Sequence, residues 1–372
     1  MSISLIKIHI KKILFSILLF SFAASAQAQS NEDKIKAYGI AKEAIAKMDN
    51  GEIDASIKLL EKAKKLDKKN YLYPYEIGYA YYLKKDYKSA ITVLKEVIKF
   101  ENNNDQCFTI LGNIYDINGQ PKKAIEVYKK GLLKFPSSGR LYYEMGNVEE
   151  VLENYNEALS SWEKGIKVSP TYPSNYHTAA IYYSQYTTEK IWGVLYGELF
   201  MNIERGSDKT SQLSKILYDT YQNSITISSK TEASVSFSKS NQISLPKDGE
   251  ELKLPFSMPY EITMALAASN QLSNKTLGIK SFTEIRTSFI NSWFDSEKNK
   301  KYPNLLFDWH KTLIDLGHFE AYNFWLFMKG DEQEFEKWLN KNQQKFDDFI
   351  SWFTSNKMPI SETYKFHSSQ YN

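Results

Sequence analysis

A single cysteine, Cys107, occurs in 372 residues. No intrachain disulfide can form, and neither a cysteine-based metal site nor a thiolate nucleophile has a supporting pattern around it. An excess of one charge is lacking too. The chain holds 47 basic and 44 acidic residues, and setting aside Lys7, Lys11 and Lys12 of the first segment leaves 44 against 44. A balanced chain lacks the cationic surplus that drives nucleic-acid binding, so no nucleic-acid partner is expected. Beyond the first segment there is no run of about eighteen apolar residues, so no transmembrane segment is expected there. Catalytic signatures are also missing. There is no phosphate-binding loop, no dinucleotide-binding glycine triplet behind a strand, no His-Glu-x-x-His and no Gly-x-Ser-x-Gly. The chain is therefore not expected to be an enzyme, and no metal or cofactor is called for.

What is present begins with the first segment. Lys7, Lys11 and Lys12 precede an apolar run from Ile13 to about Ala24, and Ala26-Gln27-Ala28 follows with small residues at a peptidase spacing. This pattern predicts a secretory signal peptide over residues 1–28, with an uncleaved anchor as the competing reading. The expected location is outside the cytoplasm, periplasmic or extracellular. No cysteine follows the run, so no lipid anchor is expected. The roughly 340 residues that remain suggest two domains.

The most informative feature is self-similarity at about 34 residues. Small residues recur at Ala44, Gly78, Gly112, Gly146 and Ala180, and a second set falls in phase at Ser56, Ala90, Ala124 and Ala158, with Trp192 in the fifth place. One turn further on come Leu60, Leu94, Tyr128, Trp162 and Tyr196, while Tyr81, Tyr115 and Tyr183 mark a third phase. Two antiparallel helices can cross closely only where side chains are small, and a large neighbour then fills the adjoining groove. Asn50-Gly51 and Asn118-Gly119 supply turn chemistry, and Asn102, Pro136 and Pro170 close the units.

These residues resemble the tetratricopeptide repeat. Ile77-Gly78-Tyr79-Ala80-Tyr81, Leu111-Gly112-Asn113-Ile114-Tyr115 and Met145-Gly146-Asn147 are similar to its first-helix signature. Ala124-Ile125-Glu126-Val127-Tyr128 and Ala158-Leu159-Ser160-Ser161-Trp162 are similar to the second. The resemblance covers residues 35–205, about five hairpins, the fifth divergent at Trp192 and read as a boundary or cap. It implies an all-α fold, a right-handed solenoid of helical hairpins whose concave side is lined by first helices, and a protein or peptide partner held there.

On that face helical phase places Leu72, Tyr75, Tyr79 and Tyr82 in the second repeat, and Gln106, Thr109, Asn113 and Asp116 in the third. The fourth contributes Arg140, Tyr143, Asn147 and Glu150, and the fifth His177. Tyrosine and asparagine suit recognition of a chain, the one by area and the other by paired donor and acceptor. The competing reading packs some of the tyrosines between hairpins. Lysine is missing from Tyr75, Thr109 and Tyr143, so a clamp for a free C-terminal carboxylate is not expected.

Residues 206–372 lose the period and are expected to form a mostly helical module of unassigned family. Helices are predicted at 208–223, Tyr260–Ala268, Phe282–Phe294, a segment opened by Pro303 and ending near Leu316-Gly317, His318–Met328, and a last helix opened by a capping box of Asp331 and Glu334. A small β-hairpin or meander, or else a loop, is predicted where Ile225, Ile227, Val235, Phe237, Ile243 and Leu245 alternate. The hairpin around Gly317 looks like a degenerate repeat. Its Asp308, His310, Asp315, His318 and Glu320 are the one constellation that could converge on a metal or work as acid and base, with surface or capping roles as the alternative. The last helix carries Phe335, Trp338, Leu339, Phe346, Phe349, Ile350 and Phe353 on one stripe, read as core or a self-association interface.

The expected function is an exported scaffold that binds another envelope protein or a peptide. An enzyme or ligand-binding module in the second half, with the repeats as a targeting arm, is the alternative.

Overall fold

The computed structural model describes residues 31–229, 232–239, 254–269, 271 and 277–371. The predicted signal peptide lies outside the described residues, as do Ile243 and Leu245. Two compact units divide at Phe135/Pro136.

The first unit is three helical hairpins. α1 (residues 31–49) packs on α2 (Ile53–Leu66) through Ala37, Ala41, Ala44, Leu60 and Ala63, α3 (Leu72–Leu83) pairs with α4 (Tyr87–Val97), and α5 (Asp105–Ile117) with α6 (Pro121–Lys134). The spacing of small and large residues acts as expected. A Cβ at Gly78 would stand 2.6 Å from Leu94 Cγ, and one at Gly112 would overlap the Tyr128 ring. The large side chain of the second helix thus lies directly on the glycine of the first. Burying each such side chain contributes about 1.5–3 kcal/mol.

The turn between the helices recurs as strictly as the contact. Gly51, Lys85 and Gly119 occupy one phase with φ of 83°, 60° and 72°. In the third hairpin Gly119 N–H donates to Asp116 O at 2.8 Å and Gln120 N–H to Tyr115 O at 2.8 Å. This is the left-handed helix ending in which two orphan carbonyls are satisfied by the residues that leave the helix. Glycine enters that region at no steric cost, whereas Lys85 does so against the clash between its Cβ and backbone.

In the second unit α7 (Gly139–Val151) and α8 (Tyr155–Val168) form the fourth hairpin, and α9 (Pro173–Tyr186) and α10 (Lys190–Ile203) the fifth. Gly146 meets Trp162 just as Gly112 meets Tyr128. Glu153 repeats the turn at φ 62°. The fifth hairpin departs. Thr187 after α9 is extended at φ −125°, ψ 170°, and Trp192 stacks on Phe256 at 5.6 Å. Gly193 lets α10 close on α9, where an added Cβ would overlap Ser184, and at Gly197 an added Cβ would stand 2.9 Å from Leu217 Cδ2.

From there the chain continues through α11 (Asp208–Ser224), β1 (Ile225–Ser229), β2 (Glu232–Val235), α12 (Ser257–Ser269), α13 (Ile279–Asp295), α14 (Lys298–Lys301), α15 (Leu305–Asp315), α16 (Phe319–Phe327) and α17 (Glu332–Ser355). The strands form an antiparallel pair with Ile225 opposite Val235 and Ile227 opposite Ala233. One apolar core runs from Ala158, Trp162 and Tyr176 through Phe282 and Phe324 to Phe366.

Local departures from the expected helix ends have clear causes. Asn304, not Pro303, opens α15, accepting Leu306 N–H at 2.9 Å. Asp331 does cap α17 by accepting Glu334 N–H at 2.9 Å, but the Glu334 carboxylate turns away. It accepts Ile279 N–H at 2.7 Å and Lys280 N–H at 2.9 Å, capping α13 instead. Gly278 makes this approach feasible, because a Cβ there would overlap the carboxylate. The aromatic stripe of α17 is largely core. Phe349 and Phe353 are buried, and Trp338 stacks on Phe324 at 4.2 Å and 9°. The helix kinks at Asn342, whose φ and ψ are −130° and 25°.

Around Gly317 the repeat turn returns. Gly317 has φ 74°, its N–H reaches Ile314 O at 3.0 Å, and His318 N–H reaches Leu313 O at 2.8 Å. Among the described residues no helix is long and apolar enough to cross a membrane.

Candidate functional site

In the first unit the predicted face gathers on α3 and α5. Leu72 is 47% exposed, and Tyr75, Tyr79 and Tyr82 are half-buried. The rings of Tyr79 and Tyr82 lie 5.9 Å apart, and Tyr82 continues to Tyr87 at 6.4 Å. Burial, then the neighbouring Glu76 charge, pushes the Tyr75 hydroxyl up to about 12. It therefore stays a neutral donor and acceptor at any physiological pH, bonded to the Gln106 side chain. Gln106 is exposed. Asn113 is half-buried, and its Oδ1 accepts from Tyr128 Oη at 2.5 Å, which leaves the Nδ2 protons as its offering to a ligand. Asp116 is half-buried, with burial raising its carboxyl. Thr109 is placed inside instead. It is 7% exposed and donates Oγ1 to Asp105 O at 3.1 Å within its own helix.

In the second unit Arg140, Tyr143 and Asn147 are half-buried and Glu150 is exposed. Tyr143 meets the edge of Tyr172 at 6.2 Å. His177 is 8% exposed, its ring 5.1 Å from Phe200 and its Nε2 3.2 Å from Gln212 Oε1. Burial, then the Lys209 charge, holds its pKa below the usual histidine value, so it packs as a neutral ring. Helical phase pointed both Thr109 and His177 outward; neighbouring elements cover them.

The constellation around Gly317 is not assembled as a site. Asp308 accepts from Tyr364 Oη at 2.6 Å, Asp315 pairs with Lys311, and His318 lies 5.1 Å from the Trp352 ring. Glu320 accepts Trp338 Nε1–H at 2.7 Å and pairs with Lys345. His310 alone turns into the core. Among the described residues no group of three or more His, Cys, Asp or Glu could hold a metal ion.

His310 belongs to a buried polar cluster that the sequence reading missed. Glu198 Oε1 on α10 accepts from Arg286 Nη2 on α13, from His310 Nε2 on α15 at 2.7 Å and from Tyr322 Oη on α16 at 2.8 Å. Asn202 Nδ2 donates to Tyr322 Oη at 2.7 Å. All are buried, Glu198 and Arg286 to 2% exposure each. Burial alone would push the Glu198 carboxyl up, but the charges of Arg286 and His310 and their hydrogen bonds hold it at about 2. Burial and the Arg286 charge lower the His310 pKa, so the ring is neutral. Because a carboxylate can only accept, the tautomer that fits is Nε2–H. The guanidinium also lies within 5.6 Å of the ring centres of Tyr221, Phe319 and Phe327. The adjoining cavity, lined by Tyr221, Tyr260, Arg286 and His310, is about 10 Å³, too small for more than a water molecule. Arrangement and access together describe an internal tie between helices. A charge alone on an apolar stripe, Glu198 in Leu195–Asn202 or Arg286 between Phe282 and Phe289, was the available signal.

A second missed group is Glu163 on α8, which accepts from Tyr183 Oη at 2.8 Å and Tyr196 Oη at 2.7 Å. Burial raises its carboxyl. Tyr196 Oη in turn accepts Ser368 N–H at 2.8 Å, which fastens the C-terminal segment.

A cleft of about 680 Å³ opens elsewhere in the second unit, lined by Thr283, Thr287, Asn291, Glu320 and Phe324 among others. His310 and His318 do not line it.

Comparison with known proteins bears on the repeats. A family model described as tetratricopeptide repeat matches residues 42–105, and a second of the same description matches residues 106–133. No curated protein matches the chain. Solved structures similar to part of it include MamA from Desulfovibrio magneticus, 20% identical with TM-score 0.36, covering 46% of this chain and 97% of that one. YrrB, described as a TPR protein with an unusual peptide-binding site, is 18% identical with TM-score 0.35, over 50% of this chain and 94% of that one. PilF of Pseudomonas aeruginosa is 13% identical with TM-score 0.42, over 52% and 85%. By the family match, the 34-residue phase and the shared turn, residues 42–133 are tetratricopeptide repeats.

Proposed function

We propose that the chain is an exported interaction scaffold whose first-helix face in residues 72–116 holds a protein or peptide segment, the partner being another protein of the cell envelope. The observation that carries this reading is the row of half-buried tyrosines Tyr75, Tyr79 and Tyr82 beside the amides of Gln106 and Asn113. Half-buried tyrosines offer large area at small entropic cost, with a polar hydroxyl at the tip. Side-chain amides can meet the backbone of an extended segment. The face of the fourth hairpin, with Arg140, Tyr143, Asn147 and Glu150, adds the same chemistry in the second unit. Export rests on the Lys7–Ala28 pattern, which N-terminal sequencing of the protein from culture tests by a start at Gln29.

Affinity purification with the full chain, against a Tyr79→Ala/Asn113→Ala variant, tests the groove. Loss of a specific partner is expected; retention of every specific partner sinks the reading. The cleft between α13 and α16 favours a second reading, a ligand-binding role for the second half. A metabolite extract that shifts the thermal midpoint of the wild type but not of Thr287→Val/Asn291→Ala supports it, and no shift removes it.

A further inference from the structure

The first unit carries another concave surface, a pocket of about 480 Å³ among α4, α5 and α6, within the roughly 300–1,000 Å³ typical of ligand sites. On α5 it is lined by Leu111 and Tyr115. At about 100° per residue these lie across the helix from Gln106 and Asn113, so the pocket is separate from the groove proposed above. Its floor is apolar: Leu111, Val127, Ile98 and the Tyr115 ring, itself 5% exposed. Its rim is basic. Lys95, Lys99, Lys123 and Lys130 face only two carboxylates, Glu96 and Glu126. Lys99 is paired with Glu96 at 2.7 Å. Lys95 and Lys123 hold their ammonium groups 5.9 and 5.8 Å from the Tyr115 ring centre, and neither Lys95 nor Lys130 has a carboxylate partner among the described residues.

We infer that this pocket docks an acidic protein segment that carries one apolar or aromatic side chain. The carboxylates of the segment pair with Lys95, Lys123 and Lys130, and its apolar side chain covers Val127 and Ile98 beside the Tyr115 ring. Charge complementarity chooses the sign of the partner in a protein that is otherwise balanced. Glu96 and Glu126 choose its class. Their carboxylates can accept the backbone N–H groups that a peptide brings and a phospholipid surface lacks. No free C-terminal carboxylate is required.

The test is fluorescence anisotropy of a labelled, end-blocked peptide of aspartate and glutamate around one tryptophan, titrated with the full chain. Saturable binding that weakens as salt rises is expected, with none for the matching peptide of asparagine and glutamine. Lys123→Glu/Lys130→Glu, checked for unchanged circular dichroism, lowers affinity by about tenfold or more. Tyr79→Ala/Asn113→Ala leaves this affinity unchanged, which separates failure here from failure of the groove. Absence of binding at low salt, or equal binding by the lysine variant, overturns the inference. So does binding of phosphatidylglycerol vesicles through these lysines with no binding of the peptide.

Discussion

The two compact units begin from the same hairpin and end with different interiors. Through residue 135 each hairpin repeats one local solution, a small residue (Ala44, Gly78 or Gly112) under a large side chain and a left-handed turn, and the charged residues stay outside. From residue 136 the fourth hairpin repeats that solution, and then α10 carries Glu198 into the centre of an aromatic core. A repeat covers itself with its neighbour and so needs only small and large apolar residues at fixed phase. An aperiodic assembly has no such register. The buried cluster of Glu198, Arg286, His310 and Tyr322 gives it one, because charges must find each other before the core can close. All seven tryptophans lie in the second unit, so tryptophan fluorescence reports on it alone and circular dichroism on both.

The largest effect expected is therefore in the second unit. Arg286→Met leaves Glu198 buried without a countercharge and costs about 3–5 kcal/mol, lowering the denaturation midpoint seen by tryptophan fluorescence. A loss below about 1 kcal/mol would mean the cluster does not organise the core. In the first unit the corresponding break is Gly112→Ala. Its new methyl overlaps Tyr128, and despite better helix propensity the change costs about 1–3 kcal/mol. That loss appears in circular dichroism and leaves the fluorescence transition in place.

Acid should separate the units as well. The folded pKa of His310 is depressed, so its contribution is complete above about 6.5, the unfolded value, and falls as the pH drops below it. Glu198, held at about 2 against 4.5, contributes fully above 4.5 and loses that contribution between 4.5 and about 2. His177, His318 and His367 are also shifted down, so the informative quantity is a difference. His310→Gln should flatten the fall in the fluorescence-detected midpoint just below pH 6.5; an unaltered slope would exclude His310 as its source. The smallest effects are gains. Lys85→Gly and Glu153→Gly relieve left-handed non-glycine residues at φ 60° and 62°, for about 0.5–1 kcal/mol each. The first gain appears only in circular dichroism and the second also in fluorescence, which makes them a matched pair across the two units.

Much of the repeat was legible because its causes are local. Small residues, the large residue one turn on, and Asn-Gly turns recur at a fixed interval, and each acts within its own hairpin. Lys85 and Glu153 show what composition hides, since only their phase marks them as turn residues. The candidate face was partly legible. Tyr79 and Asn113 stay half-buried on the face that phase assigns them, but phase does not tell what lies there, and Gln212 of α11 reaches His177 from 35 positions away. Glu334 satisfied a local rule on paper and a distant helix in fact, because the bare amides of α13 had no cap of their own.

By itself the sequence determined the hairpins, their closing turns and the family of residues 42–133, since these follow from interactions a few residues apart that periodicity repeats. Tertiary structure alone decided that His310 meets Glu198, 112 positions away, rather than His318 on the far side of the same turn. It alone gathered the lysines of α4 and α6 around Tyr115. Such groupings depend on which helix faces meet, and burial then fixes them by making an unpaired charge or an uncovered ring costly.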